Sequence, residues 1–243
     1  MGLTDAEVAR LTTSSVPTLA NAIETFAILP PNQGYTTQPL TCHYPRMGMA
    51  VGVAVTVTAI TNRAPTSPPI AELDYYRFLE SVEGPKLVVV QDLDDPPGGA
   101  MWGEWNANVH RTLGCVGTIT HGAARDLDAV EALGFHVFST SVSVGHGYGA
   151  FVGFGAPVSV AGLDVTTGDV LVADQHGALI IPNELGVDEL VDVADEIDQL
   201  EAEIFTYCKL DGFTVEGLDE LSRSVDARWP APRGTRRSAD GSR

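Results

Sequence analysis

Apolar and polar positions along the chain follow two periodicities, which predict strands connected by helices. Short apolar runs, rich in β-branched residues, predict strands at 49–60, 86–93, 115–120 and 136–144. Apolar residues at helical spacing predict helices at 14–28, 69–82, 102–114 and 126–134. Strands that alternate with helices in this way predict parallel βαβ units, so we expect a fold of the α/β class.

The pattern changes after residue 157. Short β-rich runs separated by glycine-containing turns suggest an antiparallel closure of the sheet. Residues 186–210 then predict a long amphipathic helix. We interpret residues 1–228 as one domain and expect residues 229–243, which are rich in Pro, Arg and Ser, to form a disordered tail.

Charge and hydropathy narrow the range of partners. The formal net charge is −18 at pH 7, whereas nucleic-acid binding depends on cationic side chains that neutralise phosphates. The longest apolar stretch, at 47–60, is too short for a membrane span, and the first residues lack the profile of a signal peptide. We therefore expect a cytoplasmic protein that binds neither nucleic acid nor membrane.

Two motifs that often carry chemistry have weak support in this chain. The segment from Gly145 to Ala150 formally matches a dinucleotide fingerprint, but no helix is predicted directly behind it. We interpret it as a flexible loop near a site entrance. The histidines show no HxxxH or HxH spacing, so a histidine-based zinc site is not expected. His121 is interpreted as a structural histidine.

Two predicted strand-to-helix junctions offer better candidates. At the first, a Gly-rich loop leads into a helix whose early backbone N–H groups belong to Gly103, Glu104, Trp105 and Asn106. Free N–H groups at a helix start favour a carboxylate or phosphate. Ligands of parallel sheets bind at the carboxyl ends of strands, where both junctions would lie.

The second junction runs through residues 121–124 into Arg125 and Asp126. The guanidinium of Arg125 could grip an oxyanion, and the carboxylate of Asp126 is a ligand suited to Mg²⁺ or Mn²⁺. Alternatively, Asp126 caps the following helix and Arg125 pairs with a nearby acid. The pattern alone leaves both interpretations open.

Longer stretches around these junctions resemble a known family. The sequences WGEWNAN, GCVGTITHGAARDLDAVEALGFHVF and GLDVTTGDVLVADQHGALIIP are similar, in this order, to the family that joins the regulator of ribonuclease activity A to the class II 4-hydroxy-4-methyl-2-oxoglutarate aldolases. The resemblance covers about residues 14–205. It implies an RraA-like swivelling-domain fold, an α/β/α sandwich with a C-terminal helix, assembled as a homotrimer or hexamer.

The resemblance also implies an activity. The family's aldolases cleave 4-hydroxy-2-keto diacids to pyruvate and a second keto acid, and they decarboxylate oxaloacetate. By motif, Gly103, Glu104, Trp105 and Asn106 would contact the pyruvyl carboxylate of the 2-keto acid substrate. Arg125 would bind the keto or enolate oxygen, and Asp126 would hold Mg²⁺ or Mn²⁺.

The sequence departs from the family's usual pattern in one loop, and two other functions remain open. The loop carries Trp105 and Asn106 where apolar residues are usual, so the pocket above the N–H groups would differ. The alternatives are a non-catalytic regulator of the ribonuclease-regulator branch and a related metal-enolate lyase with another 2-keto acid substrate.

Overall fold

The computed structural model describes residues 2–66 and 68–230 of the chain. The helices are α1 (Asp5–Leu11), α2 (Val16–Thr25), α3 (Glu72–Ser81), α4 (Glu104–Thr112), α5 (Leu127–Ala132), α6 (Val187–Tyr207) and α7 (Val215–Arg228). The strands are β1 (Thr41–Cys42), β2 (Ala50–Ile60), β3 (Lys86–Asp92), β4 (Ala100–Trp102), β5 (Cys115–Ala124), β6 (His136–Val142), β7 (Ala150–Phe154), β8 (Val158–Val160), β9 (Leu163–Val165), β10 (Val170–Asp174) and β11 (Gly177–Ile181).

One mixed sheet organises the described part of the chain. Its strand order is β1-β6-β5-β3-β2-β10-β11, with β4 paired to β5 and β7 paired to β2. The pairs β2–β3, β3–β5 and β5–β6 are parallel, whereas β10 runs antiparallel to both β2 and β11. The predicted α/β class, parallel βαβ units, antiparallel closure and C-terminal helix are confirmed.

The two faces of the sheet are covered differently. Odd-numbered residues of β2, such as Val53 and Val57, face core clusters that contain residues of α1 to α6. The opposite face, which includes Ala54 and Val89, packs against the β8–β9 hairpin, and its core cluster contains no residue of a described helix. The chain moves in one direction through β2, β3, β5 and β6. Since parallel crossovers are almost always right-handed, the connecting helices fall on the same face.

Local sequence signals explain where several elements begin. The side chain of Ser15 accepts a hydrogen bond from the backbone N–H of Thr18, and Pro17 lies in the first turn of α2, where proline is tolerated. Thr4 caps α1 in the same way, together with Glu7. We did not predict α1, because it is short and its apolar positions are few.

The C-terminal part differs from the prediction near residue 229. Helix α7 follows α6, and Trp229 directly after it packs, partly buried, against the core cluster of α1, α2 and α6. The remainder of the predicted tail, residues 231–243, lies outside the described residues. None of the helices described is long and apolar enough to cross a membrane.

Candidate functional site

The predicted Arg125–Asp126 junction lies at the end of a longer strand than expected. Residues 121–124, which we predicted as a loop, are the last four residues of β5. At Ala123 and Ala124 the extended strand pairs with β6 on one side and with β4 on the other, and β4 is a partner that the apolar pattern does not reveal. The helix at the first junction likewise begins at Glu104 rather than Trp102, since residues 100–102 form β4.

Arg125 and Asp126 make the sharp turn between β5 and α5. The backbone N–H of Arg125 donates to the carbonyl oxygen of Trp102 at 2.8 Å, which ties this turn to the end of β4. Asp126 has a left-handed backbone, with φ 56° and ψ 36°. Aspartate and asparagine tolerate this conformation better than other residues with a side chain. The turn therefore holds the two charged side chains in a defined place beside the start of α4.

Gly103 is the closest point between the two junctions. A Cβ atom at this position would lie 2.6 Å from Oδ2 of Asp126 and 3.0 Å from Cγ of Arg125. The φ of Gly103 is −155°, so the need for glycine here is one of space and not of backbone conformation. The two turns, distant in sequence, therefore converge, and a side chain between them would have to displace the side chain of Asp126 or Arg125.

This close approach predicts a stability effect. Gly103→Ala is expected to lower the free energy of unfolding by about 1–3 kcal/mol, because the added methyl group overpacks a buried position. Gly212→Ala is the matched control, since a Cβ there meets no atom within 4 Å. Chemical denaturation of both variants measures the effect. Equal stability of the Gly103→Ala and wild-type proteins would mean that Arg125 and Asp126 move aside freely.

Asp126 caps a helix, but not the one expected. Its Oδ2 accepts a hydrogen bond from the backbone N–H of Glu104 at 3.1 Å, at the first turn of α4. It makes no side-chain capping bond to α5 among the described residues. The N–H of Glu104 is therefore engaged. In the first turn of α4, the N–H groups of Trp105 and Asn106 are the ones left for an anion.

Arg125 lines a small cavity of about 160 Å³ next to this turn. The other lining residues are Ala100, Met101, Gly103, Trp105, Asn106, His146 and Gly149. The Nε atom of Arg125 lies 3.5 Å from Oδ2 of Asp126, and its side chain is 35% exposed. Its terminal nitrogens have no hydrogen-bond partner in the described part of the chain, so they are free to donate to a ligand in the cavity.

A chain of hydrogen bonds, buried at its far end, holds Asn106 in the wall of the cavity. The side-chain Nδ2 of Asn106 donates to the backbone carbonyl oxygen of Met101 at 2.7 Å. The backbone carbonyl oxygen of Asn106 lies 2.7 Å from Nδ1 of His110. Nδ1 must donate to this carbonyl, so Nε2 accepts from the hydroxyl of Tyr75 at 2.8 Å. Burial lowers the pKa of His110 to about 4 and raises the pKa of Tyr75 well above its usual value. His110 is therefore neutral at pH 7 and serves to hold α4 in place.

The carboxylates of the site lie on the other side of Trp105. Glu104, Trp105, Asn108, Val109 and Asp126 line an open depression of about 510 Å³. No group of three or more His, Cys, Asp or Glu side chains that could hold a metal ion occurs within residues 2–66 and 68–230. Mg²⁺, however, is often bound by one or two carboxylates, with waters and substrate oxygens completing its ligands. Asp126 and Glu104 both line this depression, so their carboxylates are the candidates for that mode of binding.

The structure places all the predicted site residues along these two spaces, together with others that the sequence does not predict, among them His146 and Gly149. Gly103, Glu104, Trp105, Asn106, Arg125 and Asp126 all line the cavity or the depression. His146 and Gly149 come from the segment that we interpreted as a loop near a site entrance. The backbone N–H of Ala100 donates to the carbonyl oxygen of Gly145 at 2.8 Å, which anchors this segment beside the cavity. His121 lines neither space, and its buried Nδ1 has no hydrogen-bond partner in the described part of the chain.

Named relatives and solved structures resemble this chain. It is 28% identical over 99 residues to protein DlpA of Legionella pneumophila, covering 40% of this chain but only 16% of that protein. It is 25% identical over 166 residues to a protein of Halalkalibacterium halodurans named "Putative 4-hydroxy-4-methyl-2-oxoglutarate aldolase", covering 61% of this chain and 74% of that protein. The chain thus spans most of the second relative's length and a small part of the first.

Two crystal structures support the fold. An uncharacterized protein from Pseudomonas syringae pv. tomato superposes with a TM-score of 0.67 at 20% identity, covering 90% of this chain and 99% of that one. RraAS2 of Streptomyces coelicolor is described as an unusual member of the RNase ES inhibitor RraA protein family. It superposes with a TM-score of 0.64 at 21% identity, covering 83% of this chain and 96% of that one. The family profile described as RraA-like (Aldolase/RraA) matches residues 17–180. This chain belongs to the RraA-like family.

Proposed function

We propose that this protein is a divalent-metal-dependent lyase that cleaves a 4-hydroxy-2-keto acid to pyruvate and a second carbonyl compound. Decarboxylation of oxaloacetate is the expected side activity. The observation that carries the proposal is the convergence of Arg125 and Asp126 on Gly103, where Arg125 lines the small cavity and Asp126 lines the depression on the other side of Trp105. The name of the Halalkalibacterium halodurans relative supports the same class of reaction.

The cavity supplies groups that suit the pyruvyl end of such a substrate. Cleavage sends the electron pair of the C3–C4 bond toward the keto oxygen, so negative charge develops there. The guanidinium of Arg125 would donate charge-assisted hydrogen bonds to that oxygen. The N–H groups of Trp105 and Asn106, at the positive end of the α4 dipole, would bind the substrate carboxylate. Together these donors would orient the bond to be broken.

A metal belongs to this proposal. Asp126, with Glu104 beside it, would hold Mg²⁺ or Mn²⁺, and the bound cation would act as a Lewis acid toward the developing charge. Assembly as a homotrimer or hexamer and a cytoplasmic location are also part of the proposal.

Removal of the metal tests the proposed function. Pyruvate release from oxaloacetate is expected to fall to the protein-free rate in excess EDTA, and to return when Mg²⁺ or Mn²⁺ is added beyond the chelator. Oxaloacetate also loses CO₂ without protein, so each rate is compared with the same buffer and free metal alone. Turnover that persists in EDTA would contradict the metal role. Absence of turnover on oxaloacetate and on 4-hydroxy-2-keto acids would favour the non-catalytic regulator.

A further inference from the structure

The small cavity opens into a much larger groove. The groove has a volume of about 800 Å³ and shares Met101, Trp105, Asn106 and Gly149 with the cavity. A ligand whose carboxylate and keto groups lie beside Arg125 would therefore extend its far end into the groove. For a 4-hydroxy-2-keto acid, that far end is the substituent on C4.

Aromatic and aliphatic side chains share the walls of the groove with polar residues, among them Thr66 and Asn106. Ile70, Tyr76 and Phe151 line it, and Pro65, Pro68 and Pro69 form much of one side. Trp105 and Tyr148 stand at its edge with 79% and 59% of their surface exposed. Large aromatic side chains exposed beside a cavity are suited to cover an apolar or aromatic group of a ligand.

The charge of the groove is unfavourable for a second carboxylate. Glu72 is the charged residue among the described residues that line it, and no Lys or Arg does so. Arg125, the cation of the adjoining cavity, would already be engaged by the pyruvyl end. A diacid would therefore place its second carboxylate near a glutamate, and a site that leaves a like charge unpaired discriminates against such a ligand.

We propose that the groove is a subsite for a neutral aromatic or bulky apolar substituent on C4 of the substrate. This inference rests on the proposed lyase function and narrows its substrate class from 4-hydroxy-2-keto acids in general to 4-aryl or 4-alkyl monoacids. In the test reaction, 4-hydroxy-2-oxo-4-phenylbutanoate gives pyruvate and benzaldehyde. The C3–C4 bond breaks and its electron pair stays on C3 in the enolate of pyruvate. The C4 hydroxyl loses its proton as the aldehyde forms, and C3 takes up a proton.

A comparison of two substrates tests the inference. With Mg²⁺ or Mn²⁺ present, kcat/KM for 4-hydroxy-2-oxo-4-phenylbutanoate is expected to exceed that for 4-hydroxy-2-oxoglutarate by at least about 10-fold, the discrimination that an apolar pocket commonly provides. Equal values, or a preference for the diacid, would overturn it.

A binding measurement separates this inference from the proposed function. Neither 2-oxo-4-phenylbutanoate nor 2-oxoglutarate has the 4-hydroxyl group, so neither undergoes the cleavage. Calorimetry is expected to show tighter binding of the phenyl compound. If no hydroxy acid yields pyruvate but this preference holds, the lyase function fails and the subsite stands. If pyruvate forms but 2-oxoglutarate binds at least as tightly, the subsite fails alone.

Charge reversal at Glu72 gives a second test with a matched control. Glu72→Arg is expected to shift the kcat/KM ratio toward the diacid by about 5-fold, the effect of a partly exposed charge pair. Glu80→Arg makes the same change on an exposed position of α3 outside the groove and is expected to leave the ratio unchanged. The affinity of each variant for 2-oxoglutarate, measured by calorimetry, gives the same comparison without turnover. An equal shift in both variants would assign the effect to net charge and contradict the subsite.

Discussion

Asp126→Asn is expected to leave the protein folded but to reduce kcat/KM for oxaloacetate decarboxylation by about 100-fold, which corresponds to about 2.7 kcal/mol. Asparagine tolerates the left-handed backbone found at this position, and its amide oxygen can still accept the N–H of Glu104. What the variant loses is the negative charge that would hold a divalent cation. Pyruvate release, corrected for the protein-free rate, measures the effect, and Mn²⁺ binding measured by calorimetry should weaken in parallel.

The comparison separates the charge of Asp126 from its capping role. Asp128→Asn removes the same charge from an exposed position in the first turn of α5 and should retain wild-type activity. Asp126→Ala should add a loss of stability, because alanine neither caps α4 nor favours a left-handed backbone. If Asp126→Asn kept full activity and full Mn²⁺ binding, Asp126 would be only a structural cap.

Arg125→Lys is expected to lower kcat/KM for the same reaction by about 100-fold, the usual effect of removing one donor to a developing oxyanion. An ammonium group cannot reproduce the planar pair of donors of a guanidinium. The backbone N–H of Arg125, which bonds to Trp102, is retained in the variant, so the turn itself should persist. Steady-state kinetics should show the loss mainly in kcat, because the charge on the keto oxygen grows as the reaction proceeds.

Arg111→Lys is the control for this substitution. Arg111 lies in the last turn of α4 at an exposed position away from the cavity, so its replacement should change neither kcat nor KM. An Arg125→Lys protein with wild-type kcat would indicate that Arg125 is structural. Its pairing with Asp126 at 3.5 Å would then be its main role.

The central strands could be predicted because a strand that is buried on both faces appears in the sequence as a continuous apolar run. The run KLVVVQDL at 86–93 appears as β3 at Lys86–Asp92, and the apolar stretch at 49–60 appears as β2 at Ala50–Ile60. The order of strands and helices then required parallel pairing. The convergence of the two junctions followed from the rule that carboxyl ends of parallel strands lie at one edge.

Other features depend on contacts that a linear pattern does not contain. The extension of β5 through residues 121–124 pairs with β6 and also with β4, a three-residue strand beyond a Pro- and Gly-rich loop. The helix that Asp126 caps is separated from it by the whole of β5. The groove combines a Pro-rich loop before α3 with the segment around Tyr148, and neither segment has a periodicity that would indicate a common wall.

The contact between Gly103 and Asp126 also bears on how relatives of this chain can be sorted. Any side chain at the position of Gly103 would occupy the space that the carboxylate of Asp126 fills here. The two positions are therefore expected to covary, and inspecting them as a pair tells more than inspecting either alone. A homologue with an acidic residue in the turn and a bulky residue at the position of Gly103 is expected to hold its carboxylate in a different place, even where its fold is the same.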